Sequence, residues 1–231
     1  MMLVWDRILA TQPAPPVPTV LGAATVAALL VLVRPTWDLT RHVVTIVHEG
    51  AHGVVAMLSG RKLAGIRLHS DSSGVTVSRG QSRGPGMILT AAAGYVGPVL
   101  LGLGCAWLLG QRHAVAVLWL LVACLALLLL QIRNFFGLAS VVATGALVFL
   151  ASWRLDVDAQ GVVAYVVTWF LLMAAPRTVG ELQTSRRRGT ARHSDADQLG
   201  RLTPIPALGW VAVFFLVTVG GLVLGAGWLL A

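Results

Sequence analysis

The stretch T-I-V-H-E-G-A-H-G-V-V, residues 45–55, sets two histidines and a glutamate in the middle of an otherwise apolar run. Ionisable side chains inside a membrane are costly unless they are partnered, and for that reason they usually mark a functional site. The residues on either side of the stretch decide whether it lies in a membrane and which partners its polar groups can find.

The composition of the chain is that of a membrane protein. Of its 231 residues, 57% are hydrophobic and 11% are charged, and the mean hydropathy is +0.81. Soluble domains contain about 25% charged residues. No polar segment is long enough to form a separate soluble core, so we expect residues 1–231 to form a single membrane-embedded domain.

Seven apolar runs approach or reach the length of a membrane helix, which needs about 20 residues. They cover residues 17–33, 42–58, 87–109, 114–130, 136–153, 162–175 and 205–230. The second and the sixth are short for a membrane span. We therefore predict an all-α polytopic membrane protein with about seven transmembrane helices.

The positive charge of the chain, +8 at pH 7, lies between these runs. If the N-terminus is cytoplasmic, most of the 17 basic residues are also cytoplasmic, as the positive-inside rule requires. The other side then receives Arg34, Arg41, Arg112 and Arg154. We predict a multi-pass protein of the plasma membrane with a cytoplasmic N-terminus, whose arginines contact anionic headgroups, and we expect no nucleic-acid partner.

Two connections between the runs are long, and we predict that both are cytoplasmic. In residues 60–86, Ile66 and Leu68 and then Val75 and Val77 alternate with polar residues around D-S-S-G, which predicts a β-hairpin. Residues 176–204 are polar and basic, with S-R-R-R at 185–188, and predict a basic loop. A solvated, partly disordered loop held near anionic lipid fits the second connection equally well.

The opening stretch contains the pattern H-E-x-x-H. His48 and His52 are four residues apart, so a helix projects both rings from one face, and Glu49 lies beside them. In this pattern two imidazoles bind zinc and the glutamate activates a water molecule. The alternative is a polar cluster in which one histidine is hydrogen-bonded to a neighbouring helix.

With these residues, the chain resembles the site-2 protease family of intramembrane zinc metallopeptidases, and in particular a compact bacterial branch of that family. Besides H-E-G-A-H, the resemblance rests on the hairpin pattern at 65–79, A-A-G-Y-V-G-P at 92–98, R-N-F-F-G at 133–137 and S-D-A-D at 194–197. It implies a membrane-embedded active site with one Zn²⁺ ion and a small sheet next to it.

The chain differs from the best-known members of this family in its third zinc ligand. Those members supply it from an Asp-Gly motif, which this chain lacks. Asp195 in S-D-A-D is the first candidate, because it matches the branch pattern and lies on the predicted cytoplasmic side. Glu181 is the second and Asn134 the third, since an amide oxygen is a weaker zinc ligand than a carboxylate. A solvated carboxylate or a helix N-cap is an equally good interpretation of Asp195.

We therefore predict a zinc metalloendopeptidase that cleaves membrane proteins or peptides in or near transmembrane segments. His48, His52 and Asp195 bind Zn²⁺, and Glu49 is the catalytic base. The hairpin binds the substrate as an added strand. Two alternatives stay open: an inactive membrane chaperone of the same fold, and a metal-handling transporter, which would place polar residues in several spans rather than in one.

Overall fold

The protein is described here from a computed structural model, which covers residues 4–190 and 194–231. Helices and one hairpin make up the described chain. In chain order the elements are α1 Val4–Leu9, α2 Val17–Leu32, α3 Arg34–Leu58, β1 Lys62–Leu68, β2 Gly74–Arg79, α4 Pro85–Gly110, α5 Ala114–Leu129, α6 Phe135–Arg154, α7 Val157–Arg187, α8 Asp195–Leu202 and α9 Ala207–Leu230. The all-α architecture with a small hairpin after the histidine-bearing helix is confirmed.

Four helices of the described chain are long and apolar enough to cross a membrane, namely α4, α6, α7 and α9. α2 and α3 pass the same test only as a pair, and they are bent by 95° at the break between them. α5 is apolar but has 16 residues, or about 24 Å of helix. Each of the seven apolar runs thus lies in a helix, and the described residues hold four candidate spans, or five if α2 and α3 count as one bent span, against the seven predicted.

The bend between α2 and α3 has a local cause. Val33 is extended, and Pro35, in the first turn of α3, cannot donate a hydrogen bond and would clash with the carbonyl four residues before it. The Thr36 hydroxyl lies 2.8 Å from the carbonyl oxygen of Leu29 and 2.9 Å from that of Val33. These carbonyls also accept the backbone N–H groups of Val33 and Trp37, so the hydroxyl adds a hydrogen bond on each side of the break.

The bend changes which segments share a side of the protein. The backbone N–H of Gln12 donates to the carbonyl of Arg112 at 2.8 Å, so the segment before α2 lies beside the α4–α5 connection. The predicted topology placed these two segments on opposite sides of the bilayer, which this contact contradicts. Arg41, predicted to lie away from the hairpin, lines the same cavity as hairpin residues 72–78.

The prediction of a loop over residues 176–204 is also wrong for most of that segment, which is helical. α7 continues through Pro176 to Arg187, because Val179 and Leu182 extend its buried face, and residues 195–202 form α8. Ala196 and Leu199 of α8 are fully buried. They pack against apolar side chains of α4, α7 and α9, namely Ala91, Val179, Leu182, Val211 and Phe214. Arg192 of the predicted loop lies outside the described residues.

The hairpin is held between α3 and the α5–α6 connection. β1 and β2 are antiparallel, and Ile66 faces Thr76 across the pair. Ile66 also donates to Gln131 at 2.8 Å and accepts from Arg133 at 2.9 Å, so its backbone groups point away from β2. Since backbone groups alternate along a strand, those of Gly74 and Thr76 point to the other edge of β2, which is unpaired among the described residues.

Candidate metal centre

Three ligand-type atoms from two helices meet beside the hairpin. His48 and His52 lie one turn apart on α3, and their Nε2 atoms are 3.1 Å apart. Asp195, the first residue of α8, places Oδ2 3.2 Å from each of these nitrogens. His48, His52 and Asp195 are the group of potential metal ligands found among the described residues. The residues proposed from sequence as the ligand set are thus brought together.

The orientation of the His52 ring is fixed by α4. Its Nδ1 lies 2.7 Å from the backbone carbonyl oxygen of Thr90. A carbonyl oxygen only accepts, so Nδ1 carries the proton, and in a neutral ring Nε2 then presents a lone pair to the cluster. Hydrogen bonding of the outer nitrogen to a carbonyl is the usual support of a metal-binding histidine.

Asp195 Oδ2 is buried and has no well-oriented hydrogen-bond donor among the described residues. With a neutral His52, this oxygen and the imidazole Nε2 face each other with lone pairs, which is unfavourable unless a proton or a cation lies between them. Protonated imidazoles are one solution. In that state burial, which raises the pKa of Asp195, is outweighed by the positive charge of His52 and by the short contacts with both histidines, and the pKa falls below its usual range.

A zinc ion is the other solution, and the residues fit it. Tetrahedral zinc ligands about 2.0–2.1 Å from the ion lie roughly 3.3–3.4 Å apart, close to the separations of 3.1–3.2 Å found here. A set of two imidazole nitrogens and one carboxylate oxygen is typical of zinc sites that leave one position open for a reactant.

Gly94 of α4 leaves room beside the histidines. A Cβ atom at this position would lie 2.4 Å from His52 Nε2 and 2.5 Å from His48 Nε2, closer than any side chain tolerates. The next residue, Tyr95, packs its ring against His48 at 4.8 Å between centroids and stacks on Phe214 at 5.2 Å. α4 therefore supplies the free space, and Tyr95 acts as a packed aromatic wall.

Glu49 is held by the hairpin. Its side chain is buried, and Oε2 lies 2.6 Å from the hydroxyl of Thr76 on β2. Gly74 of the same strand covers the carboxylate so closely that a Cβ would lie 2.7 Å from Oε1. Oε1 has no hydrogen-bond donor among the described residues, which leaves it able to accept a proton.

The cluster and Glu49 open into one cavity of about 700 Å³. Its walls come from α3, from the first half of α4, from the last turns of α7, from α8 and from residues 72–78 of the hairpin. Arg41 and Arg61 lie on its walls as well. The same cavity thus adjoins β2, Glu49 and the candidate ligands.

The other two candidates for the third ligand are not part of this group, and both have partners of their own, although Glu181 lines the same cavity. Glu181 accepts a hydrogen bond from the Trp37 indole at 2.6 Å and pairs with Arg177 at 3.5 Å. The Asn134 amide bonds both backbone groups of Leu68, donating at 2.7 Å and accepting at 3.1 Å. Asn134 thereby ties β1 to the α5–α6 connection, which is a structural role.

Comparison with protein families agrees with the geometry in indicating a peptidase. The family model described as Peptidase M50B-like matches residues 21–225. The chain belongs to this family. Searches among curated proteins and among solved structures found no match. Membership confirms the predicted resemblance to site-2 proteases, and it makes the chain a multi-pass membrane protein of a metallopeptidase kind.

Sequence reasoning did not assign roles to several residues that surround the cluster in this M50B-like chain. They are Gly74, Thr76, Thr90 and Gly94. Gly94 lies in A-A-G-Y-V-G-P, and the small residues of this motif indicate a close contact between helices. The sequence therefore contains a signal for the approach of α4 to the histidines. Thr76 is the polar partner of buried Ile66 across the hairpin, and only the register of the two strands shows it.

Proposed function

We propose that the chain is an intramembrane zinc metalloendopeptidase that hydrolyses peptide bonds in or next to transmembrane segments. The observation that carries the proposal is the meeting of His48, His52 and Asp195 within 3.2 Å of one another, with Glu49 on the wall of the same cavity. Family membership supports the peptidase class.

His48, His52 and Asp195 would hold the zinc ion. Bound there, zinc supplies Lewis-acid chemistry, which polarises a peptide carbonyl and makes water more acidic. The chain itself fixes the ligands before the ion binds, since Thr90 orients His52 and α8 presents Asp195. A preorganised set of ligands lowers the cost of ordering them on binding.

Glu49 is the proposed proton carrier. The Thr76 hydroxyl holds Oε2, so Oε1 is the oxygen that takes a proton from the attacking water and passes it to the leaving amine. Burial by Gly74 keeps bulk water away from the carboxylate. Glu49 belongs to the same helical turn as His48, so α3 places its backbone beside the cluster, and Thr76 of the hairpin fixes its carboxylate.

The unpaired edge of β2 is the proposed substrate-binding strand. Residues 74–78 line the cavity, and their outward backbone groups are available to an extended peptide. Addition of a strand at this edge requires the substrate helix to unwind locally, which exposes its peptide bonds.

We further propose that the protein lies in the plasma membrane and that its hairpin side faces the cytoplasm, because the basic residues concentrate on that side.

Cleavage assays with Glu49→Gln test the proposal. The full chain, in liposomes, is given two reporter fusions, one with a transmembrane segment interrupted by Gly-Pro and one with an uninterrupted polyleucine segment. We expect the wild type to cleave the first, Glu49→Gln to cleave neither while keeping its zinc, and Asp158→Asn, which changes an exposed carboxylate of α7, to behave as the wild type.

The same assay separates the two alternatives. A chaperone of this fold would bind the reporters and cleave neither, in the wild type as in Glu49→Gln. A transporter would move zinc across the liposome membrane and leave the reporters intact. Either result would overturn the peptidase proposal.

A further inference from the structure

Asp195, the third ligand of the proposed zinc site, lies on a different helix from the two histidines. Asp195 begins α8, which has 8 residues and is separated from the end of α7 by a short connection. The histidines lie on α3, so the distance between Asp195 and the histidines depends on how α8 is docked. Ala196 and Leu199 dock its apolar face, but they do not by themselves fix the rotation of its first turn.

The first turn of α8 is fixed by a chain of polar contacts. Ser194 is the N-cap, and its backbone N–H and hydroxyl both donate to Asp197 Oδ2, at 3.3 and 2.7 Å. In return the Asp197 N–H donates to the Ser194 hydroxyl oxygen at 3.3 Å, which completes a capping box. Asp195 lies between the two residues of this box.

The second oxygen of Asp197 leads back to α7. Oδ1 lies 3.1 Å from Nη2 of Arg186, and both side chains are about one-fifth exposed. The Nε and Nη1 atoms of Arg186 are buried and have no partner among the described residues, so Asp197 is the carboxylate that this guanidinium binds there. Its neighbours Arg187 and Arg188 are exposed.

We propose that Arg186 is a positioning residue for the metal centre: it anchors the capping box of α8 and thereby holds Asp195 against His48 and His52. This inference rests on the proposed zinc site. Apolar packing keeps α8 in place when the ion pair is removed, and the rotation of the first turn then becomes loose. The arginine run at 186–188 thus contains one residue that serves the site and two that are exposed to solvent.

Zinc affinity and the absorption spectrum of the cobalt-substituted full chain test the proposal. For Arg186→Gln we expect zinc affinity to fall about 10- to 100-fold, as for other residues that orient metal ligands, and the cobalt spectrum to change toward that of Asp195→Ala. Arg187→Gln removes the same charge one residue away and should match the wild type, and Arg186→Lys should recover part of the affinity.

Asp197→Asn provides a second route to the same contact. Its amide oxygen still accepts from Ser194 but no longer pairs with Arg186, and we expect the same loss of zinc affinity, with no added loss in the double variant. Wild-type affinity and an unchanged cobalt spectrum in folded Arg186→Gln or Asp197→Asn would overturn the positioning role and leave the zinc site standing. Absence of zinc from the wild type would overturn both.

Discussion

The Nδ1 atom of His52 donates to the backbone carbonyl of Thr90 at 2.7 Å, and this contact couples the histidine helix to α4. It directs Nε2 toward His48 and Asp195. Gly94 lies one helical turn after Thr90 and leaves the space in which these atoms meet. One turn of α4 thus both orients a ligand and makes room for what the ligands bind.

Gly94→Ala should abolish metal binding. The added methyl group would lie 2.4–2.5 Å from the two imidazole Nε2 atoms, so the rings must move apart. We expect zinc affinity to fall by about 100-fold or more, as measured by competition with a chelator of known affinity. Gly104→Ala on the same helix is the control, because no atom lies within 4 Å of its added Cβ. Equal zinc affinity in both variants would show that Gly94 is not part of the site.

Thr76→Val should slow catalysis without removing the metal. The hydroxyl that holds Glu49 Oε2 is lost, and a hydrogen bond to a charged group is worth about 1.5–3 kcal/mol. We expect kcat to fall about 10- to 100-fold with zinc content unchanged. Thr76→Ser keeps the hydroxyl and should recover most of the rate, whereas a rate in Thr76→Val equal to that of the wild type would mean that Glu49 needs no such support.

Ser78→Pro should weaken substrate binding. Ser78 lies on β2 in the same alternation as Gly74 and Thr76, so its N–H faces the unpaired edge, and proline removes this donor without breaking the ladder to β1. We expect a raised KM with normal zinc content. Ser78→Ala, which loses only the side-chain contact with Arg61, separates the two effects. If both variants had the same KM, the edge-strand proposal would be contradicted.

The candidate site could be predicted from sequence to the extent that it is local. His48, Glu49 and His52 lie within one turn and a half of a helix, so their spacing alone brings them together. The motif ranks Asp195 first as the third ligand, but only the structure shows that Glu181 and Asn134 have partners of their own. The roles of Thr76 and Arg186 depend on strand register and helix docking, which no local pattern contains.

The fold was predictable where apolar runs are long, and it was mispredicted at prolines. The sequence predicts the end of a span at Pro176, but α7 continues beyond it because the side chains of Val179 and Leu182 are buried by the extra turns. The sequence predicts a loop between two spans at Pro35, but this proline lies in the first turn of α3, directly after a 95° bend. Tertiary packing decides whether a proline ends, bends or only interrupts a helix.

Labelling of single cysteines tests the side of the membrane on which each segment lies. With Cys105 and Cys124 replaced by alanine, Thr11→Cys and Gln111→Cys should react together with a membrane-impermeant maleimide, because Gln12 bonds Arg112. Ser82→Cys, between β2 and α4, should react only from the opposite side. Reaction of Thr11→Cys from the same side as Ser82→Cys would restore the seven-span topology and contradict the bent α2–α3 unit.

Zinc content per chain is the most direct measure of the central claim. The purified, metal-replete wild type should hold about one zinc, and His52→Ala and Asp195→Ala should each lose it, because each removes one of three ligands. Glu181→Ala should keep it, since this carboxylate pairs with Arg177 and Trp37 instead. A folded wild type without zinc would show that His48, His52 and Asp195 form a protonated polar cluster, and the peptidase proposal would be contradicted.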